Sequence, residues 1–138
     1  MTRYPNWPAR LEAFLARHQD AKFRYGTWDC CLFVCDAIEV MTGVDPAADF
    51  RGRYHSRAEA PQAIRDRVGS PSVRRIADGV TAAHGMRAIP VLNASRGDLA
   101  LIKRPRDYSL GSSETRRGTL RACATLFSDG TGACLFFV

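Results

Sequence analysis

Apolar positions in the first half of the chain recur at helical intervals, whereas those in the second half fall in short runs. Leu11, Phe14, Leu15 and His18 follow three- and four-residue steps behind Pro8, which suits the first turn of a helix. A first amphipathic helix is predicted there, with His18 at the end of its stripe. Cys30, Phe33, Val34, Ala37, Ile38 and Met41 repeat the same steps, with Asp29 placed to cap the start of a second helix and Gly43 to end it. Ser56 followed by Glu59 is a capping-box pattern that opens a third helix, closed by Gly69. Ser70-Pro71 suits the cap and first turn of a fourth, running toward His84-Gly85 and weakened by Gly79.

From residue 87 the period changes. Ala88-Ile89 to Leu92, Leu99 to Ile102, the run LRACATLF and the terminal ACLFFV are short segments suited to strands. The last two flank Ser128-Asp129-Gly130-Thr131-Gly132, which carries the Asp-Gly hairpin signal. Helices first and a mainly antiparallel sheet afterwards predict an α+β fold rather than a doubly wound parallel one. No repeat or low-complexity linker interrupts the 138 residues, so one domain spanning 1–138 is expected, large enough to fold without disulfide or metal.

Composition narrows the function classes. The hydrophobic share is 46% and the charged share 25%, and no apolar stretch is long enough for a bilayer-spanning helix, so membrane insertion is not expected. The start, MTRYPNWPARLEAF, lacks the uninterrupted apolar core of about 7 to 15 residues that a secretory signal carries, so folding in a cytoplasm is expected. The net charge of +6 is spread from Arg3 to Arg121 without a block, which argues against nucleic-acid binding and for a solvated surface or an acidic docking partner.

Candidate chemistry gathers in GTWDCCLFVCD, where three of five cysteines fall within six positions. An odd number with two adjacent fits poorly with paired disulfides, so reduced thiols are expected. Cys30 in the first turn of its helix would feel unpaired N–H groups and the positive end of the dipole, which favour a reactive thiolate. The same periodicity also allows Cys30 to be a small hydrophobe on the buried stripe. Cys31 and Cys35, four apart, could hold two corners of a metal site if Cys123 and Cys134 came near, but the usual C-x2-C spacing is absent, and neither metal nor cofactor is expected. A nucleophilic thiol also requires a general base, most often a histidine.

The run Phe23-Arg24-Tyr25-Gly26, then Asp29-Cys30 heading an apolar helix, then Arg96-Gly97-Asp98-Leu99-Ala100-Leu101-Ile102, resembles the NlpC-type cell-wall cysteine peptidases, which are papain-like. Residues 29–54, DCCLFVCDAIEVMTGVDPAADFRGRY, resemble more closely the phage-encoded branch of that superfamily, phage cell-wall peptidases and a phage domain of unknown function. The resemblance implies a papain-like fold with N-terminal helices packed on a C-terminal antiparallel β-sheet. It places the nucleophile on Cys30. The general base would be a histidine opening the strand after the Gly-Asp-Leu strand, in the stretch Tyr108-Ser109-Leu110-Gly111, where Ser109 stands instead. Serine cannot serve as a base near neutral pH. His18, His55 and His84 all precede the Gly-Asp-Leu turn; His55 is the first substitute to consider and His84 the second.

The function implied is a tail-tip component of a phage or phage-like particle, a catalytically impaired relative of cell-wall peptidases in which Cys30 is a vestige of the nucleophile. The alternative is an active cysteine peptidase that cuts peptidoglycan peptide crosslinks during DNA entry. Implied partners are other tail-tip or tail-hub proteins and peptidoglycan. The implied location is the host cytoplasm during assembly and then the virion tail.

Overall fold

The computed structural model describes residues 1–89, 93, 95–103, 108–112 and 132–136. Four helices come first: α1 Trp7–Arg17, α2 Cys30–Thr42, α3 Ala60–Val68 and α4 Val73–Ala83. Strands β1 Arg87–Ile89, β2 Leu99–Lys103, β3 Tyr108–Ser112 and β4 Gly132–Phe136 follow. They pair antiparallel in the order β1-β4-β2-β3.

Local chemistry explains the helix limits. Pro8 lies in the first turn of α1, where a missing N–H costs nothing, and Leu11 and Phe14 are the residues this helix buries. The Asp29 side chain accepts from Cys31 N–H and Leu32 N–H to start α2, and Gly43 ends it in the left-handed region at φ 77°. Ser56 and Glu59 exchange side-chain bonds in the turn before α3, so the capping box sits one turn ahead of the helix proper. The fourth helix starts at Val73 behind Ser72 rather than at Ser70-Pro71.

The core is built largely from helices. Leu11, Phe14, Val34, Ala37, Ile38, Met41, Met86 and Leu99 form its main cluster, and Val73, Ala77 and Leu101 form a second. The second helix packs against α1 on one side and β3 on another, and buries Leu32 and Cys35 beside Ala47 on a third. It is therefore enclosed around most of its circumference. A single stripe from Cys30 through Met41 understates this burial.

This architecture corrects the expectation of an α+β, papain-like fold with N-terminal helices packed on a C-terminal antiparallel sheet layer. The described chain is mostly helical: helices of nine to thirteen residues carry the core, while the strands run three to five residues, and among described strand side chains only Leu99 and Leu101 are buried in it. The main cluster joins α1 to α2, with Leu99 of β2 at its edge, and Leu101 joins Val73 and Ala77 of α4 in the second. The fourth strand is flanked by β1 on one edge and β2 on the other, while the Asp-Gly signal at 128–131, expected to turn the LRACATLF run onto it, lies outside the described residues. That run itself lies outside the described residues.

Candidate functional site

The site is built around the N-terminus of α2. Asp29 is buried, with 5% of its surface exposed, and its carboxylate collects four hydrogen bonds. Oδ1 accepts from Cys31 N–H at 3.0 Å and Leu32 N–H at 3.1 Å; Oδ2 accepts from Gly26 N–H at 3.0 Å and from the Tyr54 hydroxyl at 2.5 Å. Three donors are backbone groups. The fourth arrives from 25 residues further along the chain.

Two loops meet here because Gly26 has no side chain. Its φ is 70°, and a Cβ at this position would fall 1.7 Å from the Tyr54 carbonyl oxygen. Gly52 N–H donates to the Gly26 carbonyl at 3.1 Å, so the segment carrying Tyr54 lies directly along the turn that precedes Cys30. Below this junction Arg51 donates to Asp36 on α2 at 2.5 Å and to Asp45 at 2.7 Å, tying the loop after α2 back onto the helix. Arg51 holds the Asp45 carboxyl below its ordinary range, while burial pushes Asp36 up.

The three thiols of the motif separate. Cys30 is exposed, Cys31 half-buried and Cys35 buried. The Cys31 thiol, donating toward the Cys30 sulfur, is the largest cause that lowers Cys30 from 9.0 to about 7; N–H groups at the helix start help, while desolvation and the Asp29 charge oppose. Cys31 moves the other way, well above its ordinary value, because it keeps the shared proton and is buried. Burial pushes Cys35 up to about 12. The thiolate is thus favoured at Cys30 and disfavoured at Cys31 and Cys35. The alternative that Cys30 belongs to the buried stripe is thereby overturned: the first residue of α2 points outward, and Leu32 and Val34 take the buried positions.

The donor atoms of Asp29, Cys30 and Cys31 lie within 4.8 Å of one another, compact enough for a metal ion. Each Asp29 oxygen, however, already accepts two hydrogen bonds, so the carboxylate acts as a helix cap with no lone pair turned outward. Of the other two cysteines, Cys134 lies on β4 opposite Ile89 and Ala100, and Cys123 lies outside the described residues.

No imidazole is hydrogen-bonded to Cys30 among the described residues. His18 caps the end of α1 with its ring against Phe14 and Trp28, and Nδ1 lies 2.8 Å from the Phe14 carbonyl, which can only accept. His55 is exposed, and its backbone N–H donates to Glu59. His84 caps the end of α4, where its carbonyl accepts from the N-terminal amine. Ser109 sits on β3 opposite Ile102, and β3 packs against α2, so the strand expected to bring the base does reach the cysteine helix.

Sequence reading singled out Cys30 but missed Tyr54, whose only local signal is its place at the end of the RGRY run. No described helix is long and apolar enough to cross a membrane. No curated protein and no solved structure matches the chain. A family profile matches residues 2–132, and the chain belongs to that family, the Domain of unknown function (DUF6950).

Proposed function

We propose that this protein is a tail-tip component of a phage or phage-like particle, related to NlpC-type cell-wall peptidases, in which Cys30 persists as a reactive thiol but peptide turnover is impaired. The observation that carries the chemical part is Cys30 itself: exposed at the first turn of α2, lowered to about 7, and without an imidazole hydrogen-bonded to it among the described residues. Support for the tail setting is the likeness of residues 29–54 to the phage-encoded branch of those peptidases. In this reading other tail-tip or tail-hub proteins are the partners, and the protein passes from the host cytoplasm into the virion tail.

The chemistry divides at the leaving group. A thiolate of pKa near 7 attacks a carbonyl unaided, but expelling an amine from the tetrahedral adduct requires a proton, which an imidazolium ordinarily supplies. Without that acid an amide adduct collapses back to thiolate and substrate. An ester with a good leaving group needs no such proton. A second reading, an active peptidase cutting peptidoglycan peptide crosslinks, is favoured by one observation: the thiol is lowered without imidazole help, so a base supplied otherwise would complete the site.

The test is incubation with peptidoglycan beside a Cys30→Ala variant, followed by quantification of new amino termini. Equal background from both is expected. Release that depends on Cys30 would refute impairment and establish the second reading. For the setting, the protein should copurify with assembled tails, and its absence from intact particles would overturn the tail placement.

A further inference from the structure

We propose that Tyr54 is a positioning residue for the Cys30 thiol: by donating to Asp29 Oδ2 it holds the cap carboxylate on the backbone of α2 and weakens the opposition of its charge to a thiolate on the neighbouring sulfur. This rests on the reading of Cys30 as a reactive thiol. The geometry is specific. Asp29 and Cys30 are adjacent, their ligand atoms lie within 4.8 Å, and the carboxylate charge is the nearest electrostatic opponent of a thiolate on Cys30. Of the four groups that hold this carboxylate, the Tyr54 hydroxyl makes the shortest bond and is the one side-chain donor.

Tyr54 is itself buried, at 6% exposure, and lies close enough to both Cys30 and Cys31 for their charges to act on it. Burial and the bond to Asp29 push its hydroxyl far above the ordinary range, so it remains a donor at any pH the protein meets. The hydroxyl reaches Asp29 because Gly26 lets the Tyr54 backbone approach so closely. Among the described residues, the titratable groups around Cys30 include Asp29 and Cys31 beside it and Tyr54 across from it. Of the described side chains on the elements packed against α2, the titratable one at the end of α1 is His18, held on Phe14 and Trp28.

A purely space-filling Tyr54 would predict something different. Tyr54→Phe keeps the ring and deletes the hydroxyl, so a structural role would lower thermal stability and leave the pH profile of Cys30 unchanged. Positioning predicts that the midpoint of Cys30 alkylation by iodoacetamide moves up by at least about half a unit, slowing the reaction at acidic pH about threefold. Asp29→Asn keeps the cap and removes the charge, so it should move the midpoint down, and in that background Tyr54→Phe should no longer shift it.

The experiment is site-resolved alkylation of the full chain by mass spectrometry, across pH, for the wild type, the two single variants and the double variant. An unchanged midpoint in folded Tyr54→Phe, or a shift that persists in the Asp29→Asn background, overturns the proposal. If Tyr54→Phe does not fold, Asp29→Asn alone decides: a midpoint at or above the wild-type value overturns it. A wild-type midpoint near 9 would instead end the reading of Cys30 as a reactive thiol, so the two failures are distinguishable.

Discussion

Replacing Gly26 by alanine tests how tight the junction before Cys30 is. An alanine held at φ 70° costs about 1–2 kcal/mol in backbone strain. Its Cβ would fall 1.7 Å from the Tyr54 carbonyl oxygen, half an ordinary contact of 3.4 Å, and the obstacle is backbone, which cannot rotate away. Relief requires the 52–54 segment to move off. That movement breaks the Gly52-to-Gly26 hydrogen bond, worth about 0.5–1.5 kcal/mol net, and strains the Tyr54-to-Asp29 bond, a hydrogen bond to a charged group worth about 1.5–3 kcal/mol. The expected loss is therefore about 3–6 kcal/mol, a large part of the 5–15 kcal/mol typical of a whole domain. Gly52 provides the control, because it has φ 68° and nothing within 4 Å of its imagined Cβ, so Gly52→Ala should cost the strain alone, about 1–2 kcal/mol. Urea unfolding followed by circular dichroism, with linear extrapolation, measures both. Equal losses for the two variants would refute the reasoning, since the close approach would then contribute nothing.

Other expectations follow from the same structure. Met41→Ala, at a fully buried position of α2, should cost about 2–5 kcal/mol by leaving a cavity, whereas a loss below about 1 kcal/mol in urea unfolding would contradict its place in the core. Asp45→Asn should destabilise by about 1 kcal/mol at neutral pH, discounted because the pair with Arg51 is partly exposed. Because Arg51 lowers Asp45 in the folded state, that stabilisation is present above the ordinary carboxyl value of 3.8 and is lost as pH falls through the folded one, so the two proteins should converge in acid unfolding. An activated ester such as p-nitrophenyl acetate should release a burst equivalent to one acyl group per chain, abolished by Cys30→Ala, while a peptide amide gives none; amide turnover would show that an acid is present after all.

What the sequence disclosed follows the range of the interactions. Asp29 as cap and Gly43 as stop were legible because each acts within four residues. Whether Cys30 faced the core was not legible: periodicity assumes one buried stripe, and α2 is covered on several sides with Leu32 and Cys35 packed on Ala47. Tyr54 could not be found because its bond to Asp29 spans 25 residues and depends on Gly26 allowing two backbones to touch. The placement of β4 between β1 and β2 was not legible either, because it is set by pairings thirty or more residues away.

The proposed function rests on Cys30 as a thiolate favoured by its place at the start of α2 and by the Cys31 thiol beside it. The measurement that tests it most directly is the pH dependence of iodoacetamide labelling, resolved for each cysteine by mass spectrometry on the folded chain. The account predicts a Cys30 midpoint of about 7, with Cys31 and Cys35 unlabelled at neutral pH. A midpoint near the ordinary 9.0, or labelling of Cys35 at the same rate, would contradict it.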